Sequence, residues 1–471
     1  MTKETELKLR ISPQFLPALT QFLNTQARPQ SHSTLKNWYL DTPTAALSSA
    51  RAALRIRQHG DGYEQTLKTR GQSTAGIHQR GEWNWPLTSP QLDSTLLQSA
   101  EVADHWPANI NTAELGEIFT THFERQAWLW QLDGCEAEVV LDQGEVCTGH
   151  KTLPLCEVEL ELKQGDAAGL WVMALRLAEH APLWLSDISK AERGYRLARL
   201  SQPWAQTPGV AASDDMAIAL PQWLGYEFLH LQRALEHCLW DSNIHGALDA
   251  WTHWQALRAL PQLAGKVIRR NQTRVLRDAL DQLQQPLQQL AATAQLLSYL
   301  RSADEESDVH EELNTLQAVW MGRLQQLRDD AMLAKALTQA AAALYVLPPL
   351  KSGSEQAGHW LRHLLRQHLP LLEQLKRQRP QSTEQWRGMS HELSLLCQAC
   401  DYARTLPEAA QGNPVGEPVW RALSDMLNAE TLLQRPWSLP PLHTADEGEQ
   451  RGADDYSGWA EEHLQHLARQ L

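Results

Sequence analysis

Three glutamates alternate with aliphatic residues in Glu157-Val158-Glu159-Leu160-Glu161, and Lys163 follows in the same phase. On an extended backbone alternate side chains share a face, so the carboxylates point one way and Val158, Leu160 and Leu162 the other. Like charges held together on one face repel unless cations sit among them. Carboxylate oxygens in such a row make good hard ligands for Mg²⁺ or Mn²⁺. The chain begins with the same alternation, Glu4, Glu6, Lys8 and Arg10 on one face and Thr5, Leu7 and Leu9 on the other. Between these two stretches the pattern recurs in Arg55 and Arg57, in Glu64, Thr66, Lys68 and Arg70, in Arg80 and Glu82, in Arg125, and in Glu136 and Glu138 with Asp142 beyond. Arginine forks and lysines set opposite carboxylates would grip phosphate groups. The chemistry these groups could do together is metal-assisted phosphoryl transfer, with bound metal neutralising phosphate charge and the cations stabilising the charge that spreads in the transition state.

Two readings of the pattern stand side by side. In one, the charged faces are solvated faces of antiparallel sheets whose other sides are covered, and neighbouring strands simply pair their charges. In the other, the charges line a barrel too wide to fill with apolar side chains, a costly arrangement unless a polyanion and metal ions occupy it. The three glutamates favour the second, because a single strand face offers them no ion-pairing logic. Other catalytic chemistries leave no trace: there is no GxxxxGK[ST] phosphate loop and no Ser/His/Asp or Cys/His arrangement.

The elements that must position these groups are short strands. Thr34–Asp41, Ala53–His59, Gly62–Arg70, Gly81–Pro86, His122–Leu132, Cys135–Leu141, Glu145–Cys147 and Leu155–Lys163 all read as strands. Turn signals at Gly60-Asp61-Gly62, Asp133-Gly134 and Gln143-Gly144 separate them. Helices are expected from Ser12-Pro13 to about Asn24 and over Asp166–Ala181, and a short strand-like piece, Trp184–Lys190, precedes Gly194. So many antiparallel segments suggest a closed or nearly closed barrel. Residues 202–215 are rich in Pro, Gly, Ala and Ser and read as a linker. Beyond it, long Leu/Ala/Gln-rich stretches such as Leu276, Leu280, Leu283, Leu287 and Leu290 keep helical spacing, with breaks expected at Pro261, Pro348-Pro349, Gly353, Pro370, Pro380 and Pro407. The expected fold class is α+β, a β-barrel domain over 1–201 and an all-α bundle over 216–471 with a polar, loosely ordered stretch near Leu439–Asp455.

Charge narrows the partners. Up to residue 201 there are 19 Lys and Arg against 24 Asp and Glu, and after it 23 against 32. Neither half is basic, which argues against a general nucleic-acid binder. The six cysteines form no disulfide framework for a chain of 471 residues, and Cys397-Gln-Ala-Cys400 reads as core thiols on a helix. The amino terminus is charged, with no apolar signal segment, and no run of about 18 apolar residues occurs. A cytoplasmic protein with no membrane partner is expected.

The ordered motifs resemble a known family. Glu4-x-Glu6-x-Lys8 is similar to the signature of the CYTH superfamily, the triphosphate tunnel metalloenzymes. Tyr39-Leu40-Asp41-Thr42, Leu54-Arg55-Ile56-Arg57, Thr66-Leu67-Lys68, Phe123-Glu124-Arg125, Val140-Leu141-Asp142-Gln143-Gly144, Cys156-Glu157-Val158-Glu159-Leu160-Glu161 and Ser189-Lys190-Ala191-Glu192-Arg193-Gly194-Tyr195 follow in the family's order. The resemblance covers essentially residues 1–200. A CYTH domain followed by helices resembles the bacterial inorganic triphosphatases whose second half is a CHAD domain. It implies an eight-stranded antiparallel tunnel with flanking helices that holds inorganic triphosphate. By the same resemblance Lys8, Arg55, Arg57, Lys68, Arg125, Lys190 and Arg193 bind phosphate, and Glu4, Glu6, Glu159 and Glu161, with Asp142 and Glu157, hold Mg or Mn. Glu4, Glu6, Lys8, Lys68 and Lys190 carry catalysis, with Arg10, Arg70, Arg80 and Glu82 supporting them.

Relatives of this fold also cyclise ATP, as class IV adenylate cyclases do, or hydrolyse thiamine triphosphate. Such substrates need a stacking surface beside the phosphates, and Trp38, Tyr39, Trp83 and Trp85 read instead as barrel packing. A polyphosphate-binding scaffold is the rival from outside enzymology, but a mere binder gains nothing from burying carboxylates beside a polyanion. In the helical half, His359, Arg362, His363 and Arg366 share one helix face, and Lys266, Arg270, Arg274 and Arg277 form a second basic stripe. The CHAD resemblance makes these candidate polyphosphate sites. The acidic balance of that half and the Trp- and Ala-rich surroundings of His245 and His253 weigh against them.

Overall fold

The computed structural model describes residues 2–69, 71–74, 76–102, 105–107, 109–149, 151–201, 207–302, 310–351, 353, 355–377, 382–406, 421, 423, 442–443 and 450–451. Among them, alternation of charged and aliphatic residues has become one antiparallel sheet of ten strands. These are β1 (Thr2–Arg10), β2 (Arg28–Asp41), β3 (Ala53–His59), β4 (Gly62–Lys68), β5 (Gln72–Thr74), β6 (Ile77–Leu87), β7 (Gly116–Leu132), β8 (Cys135–Thr148), β9 (Lys151–Gln164) and β10 (Trp184–Leu185). Their order is β10-β1-β9-β8-β7-β2-β3-β4-β6-β5, and β6 also pairs with β1. Eight strands therefore close a circuit, with β5 and β10 appended to it. Closure leaves the ring without an open edge and gives each ring strand an inner and an outer face.

The chemistry of the turns fits the tight hairpins. Asp133 and Gly134, both with positive φ (48° and 80°), join β7 to β8, and Gly60 (φ 58°) with Asp61 joins β3 to β4. Asn, Asp and Gly tolerate that left-handed geometry, which matches the twist of the flanking strands. The outer face of β2, β3, β4 and β6 buries Leu40, Leu54, Ile56, Leu67 and Trp83 together with Leu47, Leu97 and Val102 from the connecting segments. Trp38 and Trp85 pack against the same cluster. Each fully buried aliphatic side chain contributes about 1.5–3 kcal/mol, so this external core holds the ring while leaving its lumen polar.

Four helices flank the strands: α1 (Leu16–Gln26), α2 (Ala46–Ser49), α3 (Ala168–Leu177) and α4 (Lys190–Leu197). Then come α5 (Met216–Asp241), α6 (Ile244–Leu263), α7 (Arg274–Ser302), α8 (His310–Arg328), α9 (Ala331–Tyr345), α10 (Ala357–Arg377) and α11 (Thr383–Thr405). The chain divides into two compact units, residues 1–205 with 330–338 and residues 206–329 with 339–471. The helical unit is centred on a buried polar knot. Glu227 of α5 meets His253 Nδ1 of α6 at 2.7 Å and accepts from the Tyr402 hydroxyl of α11 at 3.0 Å. Burial would lower the His253 pKa, but the bond to Glu227 and the charges of Glu227, Asp249 and Asp401 together raise it.

Several expectations are corrected. Cys135–Leu141 and Glu145–Cys147 belong to one strand, β8, and Gln143-Gly144 is not a turn. Gly144 faces Phe123 across the ladder, and a Cβ there would run into the His122 carbonyl and Phe123. The glycine serves close approach of strands. Pro261 and Pro370 lie inside α6 and α10 instead of ending helices. In α10 the buried stripe of Leu364, Leu365, Leu371 and Leu372 runs past Pro370, so packing outweighs the lost hydrogen bond. The strand expected over Trp184–Lys190 stops at Leu185, and Lys190 opens α4. The segment 202–206 of the expected linker, Arg70, Pro380 and Pro407, and most of 439–455 lie outside the described residues. Cys397 and Cys400 are buried free thiols, and no described helix is long and apolar enough to cross a membrane.

Candidate active site

Register decides which charges meet. Across β1, β9 and β8, Glu6 lies opposite Glu161, which lies opposite Glu138, and Lys8 lies opposite Glu159. Arg125 of β7 faces Asp142 of β8, which faces Glu157 of β9. On the other side of the ring Lys68 of β4 faces Glu82 of β6. The strand alternation points all these side chains to one side, and there all but Asp142 and Glu157 line a cavity of about 400 Å³.

Seven cations and seven carboxylates line that cavity among the described residues. Ten of them belong to the expected site: Glu4, Glu6, Lys8, Arg55, Arg57, Lys68, Arg125, Glu159, Glu161 and Lys190. Asp142, Glu157 and Arg193 are not on its surface; they are 0%, 1% and 2% exposed and sit directly behind it. Arg10 is also buried, and the side chain of Arg80 lies outside the described residues.

Ion pairs knit the wall. Arg125 makes a fork on Asp142, with Nε and Nη2 donating at 2.7 and 2.6 Å, and Nη2 also reaches Glu159 at 3.1 Å. Lys190 Nζ contacts Asp142 at 2.7 Å, Glu159 at 3.1 Å, and Glu157. Arg193 bonds to Glu157 from behind. Lys8 bonds to Glu6 and lies 3.7 Å from Glu159. Lys68 donates to Glu4 at 2.8 Å and lies 3.0 Å from Glu82. Glu161 and Glu138 share Lys163 at 2.8 and 3.3 Å.

The electrostatics follow from this network. Burial would raise the Glu159 carboxyl, yet Lys190, Lys8 and Arg125 hold it well below the usual range. Burial opposes the same effect at Asp142, where Arg125 and Lys190 win. Glu82 is brought down to about 2 by Lys68 and Arg55 against the effect of burial. Glu4 goes the other way: burial raises it, Lys68 lowers it less, and Glu6 and Glu82 add to the rise. Arg57 is lowered to about 9, chiefly by burial and then by Arg55 and Arg125. Carboxylates at such different settings in one cavity are a mark of a functional site.

Lys190 comes from no strand. Ser189 caps α4 by accepting the Glu192 amide at 3.1 Å, which places Lys190 at the first helical position. Two contacts seat the helix. Tyr195 donates to Asp41 at 2.7 Å, and a Cβ on Gly194 would overlap the Phe119 ring. Asp41, fully buried, also accepts the amides of Thr42, Leu47 and Ser48.

Hard oxygen donors suit a divalent cation. Asp142, Glu157 and Glu159 each offer a carboxylate oxygen within 4.8 Å of the others, so this triad could hold a metal. Glu4, Glu6, Glu159 and Glu161 lie on the cavity surface, where Asp142 and Glu157 of the triad do not.

Sequence reasoning missed Asn37 and gave Tyr39 only a packing role. Tyr39 lines the cavity, stacked on Phe119 with ring centroids 4.5 Å apart, and Asn37 bonds to Arg57. Both are in phase with Leu35 on β2, and a parity count from the inward-facing Arg55 and Arg57 of β3 would have found them.

A closed ring of antiparallel strands surrounds a lumen lined by both acids and bases, groups whose chemistry suits phosphate oxygens and hard cations. Residues 2–195 match the model of the CYTH domain. An inorganic triphosphatase from Haemophilus influenzae is 35% identical over 199 residues, which is 42% of this chain and 55% of that protein. The chain thus spans about half the length of that curated relative. Among solved structures, a putative adenylyl cyclase from Hippeastrum described as revealing a dominant triphosphatase activity is 22% identical, covering 40% of this chain and 93% of its own, with a TM-score of 0.31. The PH1012 protein of Pyrococcus horikoshii is 13% identical, covering 42% of this chain and 99% of its own, with a TM-score of 0.26.

Proposed function

We propose that the barrel hydrolyses inorganic triphosphate to pyrophosphate and phosphate and depends on a divalent metal. The equal count of seven cations and seven carboxylates around one cavity carries this reading. A device built only to hold polyanions would carry surplus positive charge, because each buried carboxylate repels phosphate. An evenly charged lumen accepts a polyanion when metal cations enter with it.

Glu4, Glu6, Glu159 and Glu161 are the ligands we assign to Mg²⁺ or Mn²⁺, with the Asp142, Glu157 and Glu159 triad as the deeper donor set. Bound metal would neutralise phosphate charge and favour attack by water at phosphorus. Lys8, Lys68, Arg55, Arg57, Arg125 and Lys190 then serve the phosphates. Lys8 rests on Glu6, Lys68 on Glu4, and Arg125 and Lys190 both reach Glu159, and exchange of these cavity-facing partners for phosphate oxygens keeps each cation satisfied throughout. Asp142 and Glu157 remain as the anchors of Arg125, Lys190 and Arg193, so the cations stay where charge develops in the transition state.

The aromatic groups speak against a ring-bearing substrate. Trp38, Trp83 and Trp85 belong to the outer cluster, and Tyr39 already stacks on Phe119. This disfavours adenylate cyclisation and thiamine triphosphate hydrolysis. The helical half is assigned as CHAD-like, and the exposed face of His359, Arg362, His363 and Arg366 on α10 is its candidate surface for polyphosphate. The deciding measurement is phosphate release from inorganic triphosphate, ATP, thiamine triphosphate and long polyphosphate, with Mg²⁺ or Mn²⁺ and with a chelator. Chelator-sensitive preference for inorganic triphosphate is expected. Binding of long polyphosphate with no hydrolysis of any substrate would replace the enzyme with a scaffold.

A further inference from the structure

Arg57 differs from the other cations on the cavity wall. Lys8, Lys68, Arg125, Lys163 and Lys190 each lie within 4 Å of a carboxylate, and Arg55 reaches Glu82 at 4.0 Å. Among the described residues Arg57 has no such ion pair. Its Nε donates instead to the neutral Asn37 Oδ1 at 2.8 Å, and Asn37 Nδ2 donates to Thr121 Oγ1 at 2.9 Å. The amide orientation is fixed by chemistry: a guanidinium only donates, so the atom facing it must be the carbonyl oxygen.

The three residues occupy one row across the ladder. Thr121 of β7 faces Asn37 of β2, which faces Arg57 of β3. Asn37 and Thr121 are 1% and 0% exposed, so the support is rigid and dry. The next residue in the row is Glu64 of β4, directly opposite Arg57 and on the same cavity wall. A carboxylate one ladder step away is the natural partner for a guanidinium. Arg57 is nevertheless turned to the amide, and Glu64 lies 3.4 Å from the Thr66 hydroxyl, whose shorter bond of 2.8 Å goes to Asn84 Oδ1. Of the five guanidinium donors one is used, and Arg57 lines the cavity.

We propose that Asn37, braced by Thr121, is a positioning residue that holds Arg57 away from Glu64 and so keeps one unneutralised arginine fork facing the substrate. The proposal rests on the triphosphatase reading and adds to it the residue that keeps an anchor charge available. Without Asn37, Arg57 swings to Glu64, and its charge is spent inside the wall.

The test is binding of the non-hydrolysable imidotriphosphate in the presence of Mg²⁺, followed by KM and kcat for inorganic triphosphate with Mg²⁺, for the full chain. Asn37→Ala is expected to raise Kd and KM about tenfold, the loss of one hydrogen bond to a charged group, with a smaller change in kcat. Asn37→Asp keeps the shape but supplies a carboxylate to Arg57, and it should weaken binding more than the alanine does. The decisive variant is Asn37→Ala combined with Glu64→Gln: with the competing carboxylate gone, binding should recover most of the loss. A merely structural role for Asn37 would not be repaired by changing Glu64. Wild type that binds and hydrolyses triphosphate while both Asn37 variants stay within twofold of it would overturn this inference alone. So would an alanine defect that Glu64→Gln leaves unrepaired. Wild type that neither binds nor hydrolyses triphosphate would overturn the triphosphatase reading, and the inference with it.

Discussion

Glu4 and Asp142 are both carboxylates beside lysines, yet their surroundings assign them opposite duties. Asp142 is fully buried, and its two oxygens are committed to Arg125 and Lys190. Glu4 is on the cavity surface, and burial with Glu6 and Glu82 nearby makes its charge costly to hold. Removing the charge at Asp142 takes from Arg125 and Lys190 the carboxylate they share in the wall and leaves Glu159 and Glu157 to serve them alone, whereas removing it at Glu4 relieves repulsion. Asp142→Asn should therefore cost about 3–5 kcal/mol and lower Tm by on the order of 10 °C. Glu4→Gln and Glu6→Gln should keep Tm within about 3 °C and reduce triphosphate hydrolysis at least about a hundredfold, as expected when charge-stabilising groups at a reaction centre are lost. Thermal unfolding by circular dichroism and phosphate release on the same preparations separate the two classes. Continued hydrolysis by the Glu4 and Glu6 variants would remove them from the metal site.

The element that completes the site is α4, because it brings Lys190 to a wall otherwise made by strands. Its seat depends on a missing side chain: Gly194 lies against Phe119, with no room for a methyl group. Gly194→Ala should displace α4 and lower kcat by roughly ten- to a hundredfold, since small misplacements of a charged group are costly. Tyr195→Phe, which loses only the 2.7 Å bond to Asp41, should show a milder form of the same defect. Unchanged kcat in both, with a lowered Tm, would mean that Lys190 does not depend on that seat. Gly194 illustrates what was legible in the sequence. The hairpin glycines announce themselves because Gly60 and Gly134 sit between alternating strands, and the charge phase of β1, β4 and β9 marks their inner faces. Gly144 and Gly194 have no such local sign, since their cause is a residue distant in the chain, Phe123 or Phe119. Asn37 was hidden for a related reason: Leu35-Lys36-Asn37-Trp38-Tyr39 mixes polar and apolar residues on both faces, so only the register with Arg57 shows which face is inside. The partners of Glu157 and Glu159 were equally out of reach, because they come from α4, β1 and β7, whereas Glu161 pairs with Lys163 of its own strand.

On the scale of the whole molecule, charge sets the order in which ligands can enter. The chain carries a formal net charge of −14, and the tunnel lining is balanced between seven cations and seven carboxylates. A polyanion approaching alone meets long-range repulsion and then a lumen with no surplus positive charge. A divalent cation alone meets carboxylates already held by lysines and arginines. Metal and triphosphate together bring nearly offsetting charge, so the lysines can exchange carboxylate for phosphate without leaving either unpaired. Thermal shifts should therefore be strongly non-additive: small with Mg²⁺ alone, small with triphosphate alone, and large with both. Binding at a hundred times Kd would supply about 2.7 kcal/mol of stabilisation. Raising ionic strength from low values should weaken the joint effect far less than it weakens polyanion binding by a basic surface, because there is little net attraction to screen. A large shift with triphosphate alone that collapses with salt would mean that the lumen behaves as a basic trap, and the balance of its lining would then not govern binding.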